Sequence, residues 1–228
     1  CEGEELTLEE LLYALMLESA NDAAVAIAIG VCGSEEGFVD EMNRRAAALG
    51  LSDTHFANPH GLDAEAHYTT AYELAVIARA ALQNSLLKTI VSTRKITIPH
   101  QNTDSVRLLV NHNKMLRLYD GCIGLKTGYT QKSGRCLVSA AERDGVTVIA
   151  VTLHSPDDWK DHTKLLDYGF ANYAVINPTL EDAEPVPVKL GKADFIANLK
   201  LNVAPDARRY GAGHNIPTDR MGRAADFC

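Results

Sequence analysis

The stretch Gly121-Cys122-Ile123-Gly124-Leu125-Lys126-Thr127-Gly128-Tyr129-Thr130 runs through apolar residues, delivers a Lys-Thr-Gly triplet and then turns polar. Read as a strand, it alternates sides, so the Lys126 ammonium and the Tyr129 ring leave on opposite faces. If the strand lies at a sheet edge, Gly128 leaves room for the backbone of a ligand to come close. A cation, a hydroxyl and a glycine in succession suit anion binding. The same three residues also make an ordinary turn with a solvated lysine.

About a hundred residues upstream, an apolar segment over 8–17 gives way to Ser19-Ala20-Asn21-Asp22 and then to the apolar segment 23–30. This pattern predicts two helices joined by Ser-x-Asn. Ser-x-Asn and Lys-Thr-Gly are companion motifs of the penicillin-recognising serine acyltransferases, which add an earlier Ser-x-x-Lys that carries the nucleophile. Two of the three are present, in order.

With 228 residues the chain can bury a substantial core. Its 46% apolar and 23% charged content is ordinary globular usage. A net charge of -8 argues against nucleic acid or anionic membrane as the main partner. No apolar run reaches the length of a membrane span, and the first five residues lack the basic and apolar regions of a signal peptide. The five cysteines and the scattered histidines share no ligand spacing, so the sequence implies no metal and no cofactor. Cys122 and Cys136 are expected near each other on adjacent strands, and His60 and His67 are expected to brace a loop.

Outward from the two motifs, Thr7-Leu8-Glu9-Glu10 reads as a capping box opening a helix with a stripe of Leu8, Leu11, Leu12, Leu15 and Met16. Asp22 is a candidate cap for the next helix, whose Ala-Val-Ala-Ile-Ala-Ile sequence predicts a helix covered on every side. A helix over 35–49 carries Phe38, Val39, Met42, Ala46 and Leu49, and Gly50 ends it. Residues 58–63 form a turn-rich loop. Thr70-Ala71-Tyr72-Glu73 is a second capping box, and a shorter helix follows over 86–91.

Two β-rich runs, 94–99 and 106–111, predict a hairpin turning at 101–104. The Lys-Thr-Gly strand, 135–141 and 146–153 predict a three-stranded antiparallel meander with a turn at Arg143-Asp144-Gly145, and 157–173 predicts a helix laid on it. Helices first and strands later give an α+β domain over 1–176. Residues 177–203 read as two strands of a small β unit, and 204–228 as an irregular tail.

The sequence resembles the serine-type D-alanyl-D-alanine carboxypeptidases, the low-molecular-mass penicillin-binding proteins. The likeness is carried by Glu4-Glu5-Leu6-Thr7 through Ser19-Ala20-Asn21-Asp22, by Asn58-Pro59-His60-Gly61-Leu62, by His67-Tyr68-Thr69-Thr70, and by Asn113 through Thr130 and Ala141 through Gly145. It implies a β-lactamase/transpeptidase-like fold with an active site between a helical region and a sheet. It also implies action on peptidoglycan stem peptides ending in D-Ala-D-Ala, sensitivity to β-lactams, and a place outside the cytoplasmic membrane. On the matching positions, Ser19 is implied to relay a proton to the leaving amine and Asn21 to orient the substrate amide. Lys126 and Thr127 are implied to bind the terminal carboxylate beside Gly128, and the Tyr129 backbone N–H to stabilise the oxyanion.

One departure stands out: only 18 residues precede Ser19, and none is serine or lysine. The expectation is therefore a fragment starting after the nucleophile, with 1–176 a partial catalytic domain and 177–203 the start of a small C-terminal β domain. Ser85-Leu86-Leu87-Lys88 and Ser92-Thr93-Arg94-Lys95 share the Ser-x-x-Lys spacing but follow Ser-x-Asn instead of preceding it. The alternatives are a non-catalytic peptidoglycan-binding module and a β-lactamase-type hydrolase.

Overall fold

The computed structural model of the chain describes residues 3–100 and 105–175. The expected hairpin turn at 101–104, the β unit at 177–203 and the tail at 204–228 lie outside the described residues. Thr7 starts the first helix through its capping box: Thr7 Oγ1 accepts from the Glu10 N–H at 3.2 Å, and Glu10 Oε2 accepts from the Thr7 N–H at 2.8 Å. This helix, α1 (Leu8–Glu18), buries Tyr13, Ala14 and Leu17. The inner face is therefore turned relative to the predicted stripe. Leu8 is exposed, while Leu11, Leu12, Leu15 and Met16 pack around the rim of the core.

The second helix, α2 (Asn21–Cys32), departs from expectation twice. Its N-cap is Ala20, which has no side chain to cap with; Asp22 sits inside the first turn, where Oδ1 accepts from the Ala23 N–H at 2.9 Å. Nor is the helix covered on every side. Ala23, Ala24, Ile27 and Ala28 are buried, but Ile29 and Val31 are exposed. Among the described residues, packing comes from one side only, so an all-apolar sequence keeps an open face.

Ser34 caps α3 (Glu35–Ala48) by accepting from the Gly37 N–H, and Gly50 follows at φ 76. Of the predicted stripe, Ala46 is buried and Leu49 is exposed. α4 (Ala71–Leu82) starts at Thr70, whose Oγ1 accepts from the Glu73 N–H, but the second half of the expected capping box is missing. The buried Glu73 carboxylate turns away to accept from the N–H groups of Ser52 and Asp53 and from the Thr54 hydroxyl. A loop carboxylate partner with three donors outcompetes a single reach back to the cap.

After α5 (Ser85–Ser92) come β1 (Lys95–Pro99) and β2 (Val106–Val110), paired antiparallel, and a short α6 (Met115–Leu118). The meander follows as predicted: β3 (Cys122–Thr130), β4 (Gly134–Arg143) and β5 (Val146–Thr152), all antiparallel, in the order β3-β4-β5. Asp144 and Gly145, at φ 49 and 76, form the tight β4–β5 turn. Cys122 pairs with Ala141 and Cys136 with Gly128, so the two thiols sit at opposite ends of the strand pair and not side by side.

The sheet is covered on both faces. Leu137 and Ala141 pack with Leu166 of α7 (Asp158–Asn172), whereas Val138 and Ala140 pack with Ala78 of α4 and Val91 of α5. His162 of α7 is fully buried between the Ser139 hydroxyl at 2.5 Å and the Thr152 hydroxyl at 3.0 Å, and burial pushes its pKa down to about 4.

Helix α5 couples the two halves. Its neighbours Ile90 and Val91 are both fully buried, Ile90 in the core of α1 and Val91 in the core under β3. Gly124 lets β3 come this close. It has φ 139, and a Cβ there would lie 2.8 Å from Val91 Cγ2. Gly124→Ala therefore meets both backbone strain and a clash with a rigid β-branched side chain. It should cost about 2–4 kcal/mol in urea unfolding, and a loss under 0.5 kcal/mol would contradict this packing.

Candidate active site

The α1–α2 turn places Ser19. It is the C-cap of α1 and adopts left-handed φ 58, ψ 41, with its N–H returned to Leu15 O at 3.1 Å. A non-glycine residue in this region carries strain of about 1 kcal/mol or more and is enriched at functional positions. The chain then extends through Ala20, and Asn21 opens α2. The Ser-x-Asn break expected between the two helices is present, with α1 ending at Glu18 and α2 starting at Asn21.

On the sheet side, β3 lies at one end of its sheet among the described residues, so the edge away from β4 is unpaired. Lys126 crosses from this strand to the helical half, and its ammonium donates to Ser19 Oγ, 107 residues away in sequence. The same ammonium donates to Thr127 O at 2.8 Å. Ser19 and Lys126 are thus brought into direct contact. Asn21 sits two residues further on and, among the described residues, makes no hydrogen bond to that pair.

Thr127 is partly exposed, while Gly128 and Tyr129 are exposed, Tyr129 to 70%. The fold itself does not require glycine at 128, because a Cβ there would meet nothing closer than Cys136 Cβ at 3.8 Å. What the missing side chain leaves open is the approach to the strand. Burial pushes the Lys126 pKa down to about 8, and among the described residues the ammonium donates to Ser19 Oγ and Thr127 O and pairs with no carboxylate. Such a lysine is a strong site for a carboxylate that brings its own negative charge.

Arg135, the register partner of Tyr129, forms a two-pronged contact with the buried Asp158 at 3.1 and 2.8 Å, which raises its own pKa. The Ser-x-x-Lys look-alikes are not Ser–Lys pairs: Lys88 is bound to Glu142 at 2.7 Å, and the Ser92 hydroxyl donates to Thr89 O while Lys95 has moved into β1.

Two contacts around the site had no sequence signal. Thr130, at the end of β3, donates to Asp63 Oδ1 at 2.8 Å and ties the turn-rich loop to the strand. Glu18, just before Ser19, accepts from the Val110 N–H at 2.5 Å and contacts His112 Nε2 at 3.1 Å. The loop's histidines brace it as expected: His67 Nδ1 accepts from the Ala57 N–H and His60 Nδ1 from the Leu62 N–H.

Residues 1–157 match the family described as D-alanyl-D-alanine carboxypeptidase, Peptidase_S11. The chain belongs to this family. It is 37% identical over 199 residues to D-alanyl-D-alanine carboxypeptidase DacF of Bacillus subtilis (strain 168), covering 85% of this chain and 51% of that one. It is 40% identical over 182 residues to a D-alanyl-D-alanine carboxypeptidase of Streptomyces sp. (strain K15), covering 74% and 62%. Among solved structures, the crystal structure of the Streptomyces K15 DD-transpeptidase aligns with TM-score 0.70 at 38% identity, covering 74% of this chain and 70% of that one. The α+β fold is thus a transpeptidase-like one. The chain spans about half to three-fifths of the length of the curated relatives it matches.

The electrostatic state of Lys126 can be read directly. Its side-chain carbon resonances should titrate with a midpoint near 8, well below that of an unperturbed lysine at about 10.4. A midpoint at or above 10 would contradict the desolvated contact with Ser19.

Proposed function

We propose that the full-length protein removes the terminal D-alanine from peptidoglycan stem peptides ending in D-Ala-D-Ala, through a serine acyl-enzyme. The single observation that carries this reading is the Lys126 ammonium resting on the Ser19 hydroxyl, on the strand that also bears Thr127. Membership of the carboxypeptidase family supports it. Neither a non-catalytic binding module nor a β-lactamase is favoured by the relatives compared.

In this reading the substrate carboxylate accepts from Lys126 and the Thr127 hydroxyl, and the peptide lies along the free edge of β3, where Gly128 admits its backbone. Asn21 orients the substrate amide. A serine of the full-length protein attacks the terminal peptide carbonyl, and the developing oxyanion is met by the Tyr129 N–H. The C–N bond then breaks as the serine's proton passes through the Ser19 hydroxyl to the leaving amine. Water hydrolyses the resulting ester, releasing the shortened peptide and restoring the serine. β-Lactams, which present a strained amide and a carboxylate to the same groups, would acylate the same serine. The substrate implies action outside the cytoplasmic membrane. No single helix among the described residues is long and apolar enough to cross one.

The test is Lys126→Ala in the full-length gene product. Loss of a charge-assisted contact in a desolvated site should lower kcat/KM on a D-Ala-D-Ala peptide by about 2–3 kcal/mol, roughly 30- to 150-fold. Unchanged kcat/KM removes the assignment. Because carboxylate binding needs the protonated lysine and burial holds its pKa at about 8, kcat/KM should fall as pH rises through about 8. A profile flat to pH 10 would assign the carboxylate to another group.

A further inference from the structure

Glu18 occupies a position that local energetics disfavour. It is the last residue of α1, where carbonyl dipoles make the helix end negative, and no basic residue lies in that last turn. A carboxylate there is repelled by its own helix. Its two oxygens are instead turned outward onto the end of β2 and the loop that follows: Oε1 accepts from the Val110 N–H at 2.5 Å, and Oε2 meets His112 Nε2 at 3.1 Å. A third bond runs alongside, from the His112 N–H to Leu17 O at 3.2 Å.

These three contacts converge on residues 17 and 18, immediately ahead of the left-handed Ser19. On the opposite side of that residue, the Lys126 ammonium pulls on the hydroxyl. The Ser19 backbone thus sits in a strained conformation between two anchors, the strand β3 and the end of β2. Left without the second anchor, the turn can relax toward an unstrained φ and swing the hydroxyl away from the reacting bond.

We propose that Glu18 and His112 form a clamp that positions Ser19 for proton transfer. They are positioning residues: neither touches the substrate groups assigned above, and both act through the backbone of the turn. The inference rests on the reading of Ser19 as the proton relay. Its expected signature is a loss in kcat with little change in KM, because the carboxylate site on β3 is held by α5 and Gly124 and not by β2.

The experiment measures steady-state hydrolysis of an acylated peptide ending in D-Ala-D-Ala by the full-length gene product and its variants. Glu18→Ala should lower kcat about tenfold with KM changed less than about twofold. Glu18→Gln, whose carbonyl can still accept from the Val110 N–H, should recover to within about threefold of the parent. His112→Ala should lose about threefold, and Glu18→Ala with His112→Ala together should be no worse than Glu18→Ala alone, as for two residues acting as one unit. If Glu18→Ala is too unstable to assay, the His112→Ala and Glu18→Gln pair carries the same split. Unchanged kcat in Glu18→Ala, a loss confined to KM, or fully multiplicative effects in the double variant overturn the clamp. Failure of the parent protein to turn over the peptide, or of Lys126→Ala to affect it, overturns the proposed function instead, so the two failures are separable.

Discussion

The contact between the Lys126 ammonium and the Ser19 hydroxyl joins the helical half of the chain to its sheet, and the site exists only while the two halves stay in register. The register is not set by that contact alone. Consecutive residues of one short helix, Ile90 and Val91, are buried in the core of α1 and in the core under β3 respectively. A helix that presents neighbouring side chains to two cores fixes the distance between them. Gly124 then permits β3 to approach to van der Waals limits, which is what lets a lysine side chain span the gap.

Chemistry follows from what surrounds that lysine. Its ammonium is partly desolvated, it has a hydroxyl and a carbonyl as partners, and no carboxylate among the described residues answers it. Arg135, on the opposite face of the sheet, is held by Asp158, which anchors the start of α7 to β4. The strand edge beside the lysine is unpaired among the described residues. In the proposed function, this cation beside an open backbone ladder receives the carboxylate end of an extended peptide.

Much of this was legible in the sequence because the signals are local. The Thr7 and Glu10 box, the Ser19 break, the Asp144-Gly145 turn and the apolar runs of the meander each depend on residues within a few positions of one another. What escaped reading depends on distant partners. Glu73 fits a capping box as well as Glu10 does, but three donors from the 52–54 loop take its carboxylate. Cys122 and Cys136 lie on adjacent strands, yet strand register, invisible in either strand alone, separates them. The open face of α2 was unreadable because Ile29 and Val31 are apolar whether covered or not. The Glu18–His112 and Thr130–Asp63 contacts join positions with no shared motif, so only the folded chain reveals them.

In the proposed function, the free edge of β3 receives a peptide carboxylate at Lys126 and Thr127. The most direct measurement is a crystal structure of the full-length gene product with an unreacted peptide ending in D-Ala-D-Ala. The terminal carboxylate should lie within hydrogen-bond distance of Lys126 Nζ and Thr127 Oγ1, with the peptide antiparallel to β3 and its last amide near Ser19 and Asn21. A carboxylate lodged elsewhere, such as the hollow lined by Arg94, Lys95 and Arg117, with the Lys126 contact to Ser19 undisturbed, would contradict it.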